Sequence, residues 1–220
     1  MQTRRATMRD VIEMQHCNLR CLPENYNMRY FLYHYVSWPQ MLNVVEDAHG
    51  HVVGYVLAKM DDEDEPGKTP HGHITSLAVL RTHRKLGIAA NTMKATMRET
   101  DAVHKGEYVS LHVRRTNEAA LHLYQESLKF RCAEVDKGYY VDNEDAFHMK
   151  HFFRPKGDER MHYVNAEGKL EKCGREGTGP NIGGGMGAKT LWRTATHDDP
   201  VAPASAVGSK SSKRSAPGRR

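Results

Sequence analysis

Strand-like apolar runs occupy residues 2–5, 41–46, 51–60, 71–80, 108–113, 130–135 and 146–153. Helical spacing takes over between them. Thr7-Met8-Arg9-Asp10 has the form of a capping box, and the helix it opens sets Met8, Val11, Ile12, Gln15 and Leu19 along one face until Pro23 ends it. A second helix is predicted over 27–36, stopped before Pro39. A third runs over 87–99 with Leu86, Ala90, Met93 and Met97 inward, and a fourth over 117–128. His49-Gly50 turns one strand into the next, and the acidic run 61–65 with Pro66 and Gly67 reads as a solvated loop. The order β-α-α-β-β-β-α-β-α-β-β predicts an α/β (α+β) chain. Its centre is a mixed sheet of about seven strands with helices on both faces, large enough for a real core.

The pattern fades after residue 153. Half of the 18 glycines lie between Gly157 and Gly187, and Pro, Ala, Ser and Lys follow. Such a stretch buries too little apolar surface to offset the entropy of ordering it. Residues 1–153 are therefore expected to be the folded domain, and 154–220 a Gly-rich, then basic, largely disordered tail. Charge agrees with this division. The chain holds 32 basic and 27 acidic side chains, and Lys210, Lys213, Arg214, Arg219 and Arg220 account for the whole excess, so the positive charge belongs to the tail and not to a folded face. No apolar stretch approaches the length of a membrane span, and the first residues do not form a secretory signal. Cys17, Cys21, Cys132 and Cys173 are too scattered for a disulfide framework or a zinc knuckle, which points to a reducing compartment and no metal.

The chemistry concentrates in residues 73–89. An apolar strand, His73-Ile74-Thr75-Ser76-Leu77-Ala78-Val79, runs through a basic loop into a helix. Arg84-x-x-Gly87-x-Ala89 puts small residues where the chain turns tightly and where backbone N–H groups must approach a ligand. The helix start adds unpaired donors and partial positive charge, so the segment reads as a pyrophosphate cradle, or else as a charged loop that happens to precede a helix. A second unit follows: strand 108–113, then Arg115-Thr116-Asn117 and a helix carrying Ala119, Ala120, Leu121 and Tyr124. Two such units side by side can hold one ligand between them.

On these residues the chain resembles the GNAT acetyltransferase superfamily. It resembles most closely the catalytic subunits of N-terminal acetyltransferase A (NatA) complexes. The matching phrases include Met14-Gln15-His16-Cys17-Asn18-Leu19, Leu22-Pro23-Glu24-Asn25-Tyr26, Ser37-Trp38-Pro39-Gln40, Val109-Ser110-Leu111-His112-Val113-Arg114 and Ala119-Ala120-Leu121-His122-Leu123-Tyr124. The resemblance covers about residues 1–151 and implies a GNAT fold. The implied activity is acetyl transfer from acetyl-CoA to the α-amine of protein N-termini, by direct attack of the amine on the thioester. No nucleophilic Ser or Cys and no metal is needed.

Role by role, the resemblance implies that backbone groups of Leu77, Ala78 and Val79 bind the pantetheine arm. Those of Arg84, Lys85, Leu86, Gly87, Ile88 and Ala89 hold the pyrophosphate, and Asn117 anchors the cofactor from the second unit. Tyr124 would give a proton to the leaving thiolate. Glu24, His112 and His73 are the candidates for the amine proton, His73 departing from the tyrosine that related enzymes carry there. Leu22, Pro23, Tyr26, Tyr139 and Tyr140 would frame the first substrate residues. The resemblance further implies Ser, Ala, Thr or Gly termini as substrates in complex and acidic termini for the free subunit. Implied partners are a large helical-repeat auxiliary subunit docked on the first two helices, the ribosome and its nascent chains. Implied locations are the cytoplasm and, secondarily, the nucleus. The basic tail could make weak RNA contacts, and no membrane partner is expected. Two other readings use the same residues: a lysine or small-amine acetyltransferase, and a catalytically inactive RNA- or ribosome-associated module.

Overall fold

The computed structural model describes residues 1–61, 69–154, 162–165 and 168–172. Its strands are β1 (Gln2–Arg5), β2 (Asn43–Glu46), β3 (Val52–Asp61), β4 (His71–Val79), β5 (Tyr108–Arg114), β6 (Arg131–Asp136), β7 (Ala146–Phe152), β8 (His162–Val164) and β9 (Leu170–Lys172). They form one sheet in the order β1-β2-β3-β4-β5-β7-β6-β8-β9. The helices are α1 (Asp10–Cys21), α2 (Met28–Ser37), α3 (Ile88–Ala102) and α4 (Glu118–His122), the last continuing into a π-helical turn at Leu123–Ser127. The seven expected strands and the four helices occur in the expected order. Among the described residues, no helix is long and apolar enough to cross a membrane.

Each face of the sheet carries an apolar layer. On one, Met93 and Met97 of α3 and Leu121 of α4 pack with Ile74, Leu111, Phe130, Phe147 and Met149. On the other, Val11, Met14 and Cys17 of α1 and Phe31 of α2 pack with Val44, Tyr55 and Leu57. The face of α1 differs from the sequence expectation. Its buried residues are Asp10, Val11, Met14, Cys17, Asn18 and Cys21, while Met8, Ile12 and Leu19 are more than half exposed. Apolar residues lie on two adjoining stripes of this helix, and its packing on β3 selects one of them. The capping box is also reversed: the Asp10 carboxylate accepts from the Thr7 N–H at 2.6 Å and from the Thr7 hydroxyl at 2.8 Å.

The sheet continues past the boundary expected at residue 153. The Gln125 side chain accepts the Val164 N–H at 2.7 Å and donates to the Val164 carbonyl at 3.1 Å, with both residues buried. Those bonds, and the pairing of Cys132 with His162, tie β8 and β9 to the domain. The acidic loop from residue 62 and the basic stretch of the expected tail lie outside the described residues.

One irregularity positions the site. Strands β4 and β5 run parallel and pair only at Gly72 with Val109 and His73 with Ser110. On its other edge β4 stays paired with β3 as far as Val79. Residues 74–79 therefore present one edge to a gap that β5 does not fill. A bulge opposite Leu57 and Ala58, where Thr75 is the extra residue, adds to the divergence.

Candidate active site

The gap ends in a tight basic turn. Lys85 and Gly87 have φ of 65° and 74°, and α3 starts immediately afterwards at Ile88. Left-handed residues alternating with ordinary ones aim successive N–H groups into one concavity, and the first turn of α3 adds unpaired donors. Residues 84–89 therefore have the shape of an anion cradle. The Arg84 side chain folds back, donating through Nε to the Val79 carbonyl at 3.1 Å. Leu86, expected inward, is 56% exposed because the turn at Lys85 swings it away from the core.

Across the gap, Asn117 caps α4, accepting the Ala120 N–H at 3.1 Å through Oδ1. Its Nδ2 is buried and has no partner among the described residues. A buried donor in that position fits a ligand acceptor such as a phosphate or amide oxygen. Tyr124 lies about two turns further along, in the π-helical turn that continues α4, and is buried, and burial pushes its hydroxyl above the usual value.

The opposite rim is held by one guanidinium. Arg114 bonds Glu24 from the loop after α1, Asp142 at 2.7 Å and Glu144 at 2.6 Å, and its guanidinium lies 4.0 Å from the centre of the Tyr140 ring. Glu24 keeps its second oxygen, Oε2, buried and without a partner among the described residues. Asn18 fixes the loop that carries Glu24: its carbonyl accepts the Leu22 N–H at 2.9 Å and its side chain accepts the Tyr26 N–H at 3.3 Å. Leu22 is buried and Pro23 exposed. Burial pushes Tyr140 above the ordinary tyrosine value, with Tyr139, Glu24 and Tyr124 adding to the rise and Arg114 opposing it. Residues far apart in sequence therefore converge on one rim.

The histidines lie along strand faces below that rim. Ser110, His112 and Arg114 alternate on β5 with the core residues Val109, Leu111 and Val113. His112 is sandwiched between Tyr139 and His148, with ring centres 4.3 and 4.5 Å away, and its Nε2 lies 2.9 Å from Asp136 Oδ2. Its Nδ1 is buried and has no partner among the described residues. Burial pushes the His112 pKa down, the His148 ring adds to this, and Asp136 opposes it. His73 is buried deeper, bonds Ser110 Oγ at 2.9 Å, and is pushed further down by burial and then by His112. His112, Asp136 and His148 offer three polar atoms within 4.8 Å of one another. The two imidazole planes are nearly parallel, 12° apart, so their lone pairs do not converge on one point, and the cluster reads as a hydrogen-bonded ladder.

An open strand gap, a phosphate-shaped turn at one end and an acidic rim at the other suit transfer between an anionic carrier and a cationic amine. Residues 11–130 match the acetyltransferase (GNAT) family. The chain belongs to the GNAT family. This GNAT chain is 57% identical over 147 residues to the N-terminal acetyltransferase A complex catalytic subunit NAA10 of Arabidopsis thaliana, covering 67% of itself and 75% of that protein. It is 50% identical over 160 residues to the N-alpha-acetyltransferase daf-31 of Caenorhabditis elegans, covering 73% and 87%. Among solved structures it resembles Naa20 of Chaetomium thermophilum in complex with a bisubstrate analogue, with a TM-score of 0.62, 29% identity and coverage of 69% and 86%.

Arg114, Asp136, Glu144 and His148 of this GNAT site were given no role by sequence reasoning. Arg114 carried a signal, since it stands two residues beyond His112 and strand alternation puts it on the same face. Asp136, Glu144 and His148 carried none, because only the order β5-β7-β6 brings them to β5.

Proposed function

We propose that this chain transfers the acetyl group of acetyl-CoA to the α-amine of protein N-termini, as the catalytic subunit of a NatA-type complex. The observation that carries this reading is the end of β4–β5 pairing at His73 and Ser110, with the 84–89 cradle beyond it and the Glu24–Arg114 rim across from it. The close relatives named for this activity support it.

The chemistry asks for positioning, oxyanion donors and two proton transfers. Backbone groups of Leu77, Ala78 and Val79 line the gap and suit the pantetheine arm, with a backbone N–H for the developing oxyanion. The backbone of residues 84–89 receives the diphosphate, and Asn117 Nδ2 supplies a further donor. The peptide ammonium is drawn to Glu24 Oε2, and Leu22, Pro23, Tyr26, Tyr139 and Tyr140 frame its first side chains. His112, kept neutral by its surroundings, takes the proton. The neutral amine forms the C–N bond, the C–S bond breaks, and Tyr124 protonates the departing thiolate. His73 supports the strand by bonding Ser110.

The exposed apolar positions Met8, Ile12 and Leu19 beside α1, with Tyr33 and Val36 on α2, suit a helical-repeat auxiliary subunit. Such a subunit would bring the enzyme to ribosomes and nascent chains in the cytoplasm and would favour Ser, Ala, Thr and Gly termini. Mass-spectrometric acetylation of a panel of N-terminal peptides, with internal-lysine peptides alongside, tests the assignment. Labelling of α-amines is the expected result, and labelling confined to lysines would replace it with a lysine acetyltransferase.

A further inference from the structure

The ladder beside His112 has a directional consequence for the proton. A carboxylate offers no proton, so the 2.9 Å contact between His112 Nε2 and Asp136 Oδ2 requires Nε2 to be the protonated nitrogen. The other nitrogen, Nδ1, is then a bare lone pair, buried and without a donor among the described residues. A buried acceptor without a partner is costly, and such atoms persist chiefly where function needs them. The ring cannot easily turn away. Tyr139 covers one face and His148 the other, at interplanar angles of 10° and 12°. His148 sits directly across from His112 in the β5–β7 register, and its own Nδ1 is engaged with Glu134 at 2.9 Å.

We propose that Asp136 is a positioning residue for proton removal from the substrate amine. By accepting the Nε2–H of His112 it leaves Nδ1 as the nitrogen that takes the proton, while Tyr139 and His148 hold the ring in that orientation. The step is balanced: the ammonium N–H bond breaks, an Nδ1–H bond forms, the imidazolium is stabilised by Asp136, and the proton passes to water between turnovers. The inference rests on the acetyl-transfer reading for the identity of the proton donor, but not for the tautomer. The groups facing His112 are His73 from β4, Glu134 and Asp136 from β6, His148 from β7 and Tyr139 from the turn after β6; Lys59 and Asp61 act on it through His73.

The test uses the full chain and the variants Asp136→Ala and Asp136→Glu, with three readouts. Nitrogen-15 NMR of the ligand-free protein should show His112 as the Nε2–H tautomer, and a mixture of tautomers in Asp136→Ala. Turnover in Asp136→Ala should fall between about tenfold and a hundredfold with the KM for acetyl-CoA unchanged, and Asp136→Glu should restore most of it. Removing the carboxylate takes away a charge that favours the protonated ring, so the acid limb of the rate profile should move to lower pH. A merely structural role would not move that limb. Should Asp136→Ala fail to fold, the isosteric Asp136→Asn reads the same quantities. An Nδ1–H tautomer in the unmodified protein, or an unchanged rate and acid limb in the variant, overturns the proposal. Absence of all acetylation by the unmodified chain would instead strike the acetyl-transfer reading, and the NMR result would still decide the dyad.

Discussion

Glu24 and Arg114 stand 90 residues apart in sequence and share a hydrogen bond that closes one rim of the strand gap. Arg114 also holds Asp142 and Glu144, so three carboxylates surround one guanidinium and the rim keeps an excess of negative charge. On the proposed function that excess would draw the substrate ammonium, while the Arg114–Glu24 bond holds the loop after α1 in place.

Replacing Arg114 by Met should unfasten the rim. Removing the shared cation leaves three half-buried to exposed carboxylates facing one another with no counter-charge, and their mutual repulsion opens the rim. Peptide kcat/KM is expected to fall at least about tenfold, while acetyl-CoA affinity by calorimetry stays within about twofold, because the cradle lies at the other end of the gap. Equal losses in both quantities would show that Arg114 supports the whole domain.

Tyr124→Phe keeps the ring in its pocket and removes only the hydroxyl. Losing a positioned proton donor costs about a hundredfold or more in rate. Steady-state turnover should fall by that order with coenzyme affinity largely preserved. Undiminished turnover would leave Tyr124 as a packing residue against Phe130, whose ring centre lies 5.9 Å away.

Gly87 has φ of 74°, where a side chain costs roughly 1–2 kcal/mol. Gly87→Ala forces the cradle either to bear that strain or to change shape. Titration calorimetry should show acetyl-CoA binding weakened by about tenfold, or thermal melting lowered by several degrees. A variant with both properties unaltered would argue against a backbone anion site at residues 84–89.

His34 is fully buried against Thr75 and the Tyr30 carbonyl, and burial pushes its pKa from 6.5 down to about 4. The unfolded chain therefore binds a proton that the native state refuses. The stability at stake is complete above about pH 6.5 and is lost as pH falls towards 4, up to about 3 kcal/mol for this residue. Urea midpoints at pH 7 and pH 5 should separate clearly in the natural protein and less in His34→Gln. His73 and His112, also pushed down by burial, keep part of the slope.

The order of strands and helices, the cradle motif and the family were legible in the sequence because each is local. Periodicity marks elements, and Arg84-x-x-Gly87-x-Ala89 contains its own turn and helix start. Which stripe of α1 is buried was not legible, since Ile12 and Val11 are equally apolar and only packing on β3 separates them. Leu86 fits a helical face by spacing, but the left-handed Lys85 before it turns it outward. The hairpin held by Gln125 looked like tail because its strands are only three residues each and stand within the Gly-rich stretch, and only the edge of β6 gives them a partner. The site's electrostatics were settled by tertiary structure alone. Asp136 and His148 reach His112, and Glu144 reaches Arg114, through strand pairing and a loop closure, and no local pattern encodes contacts made between separate segments of the chain.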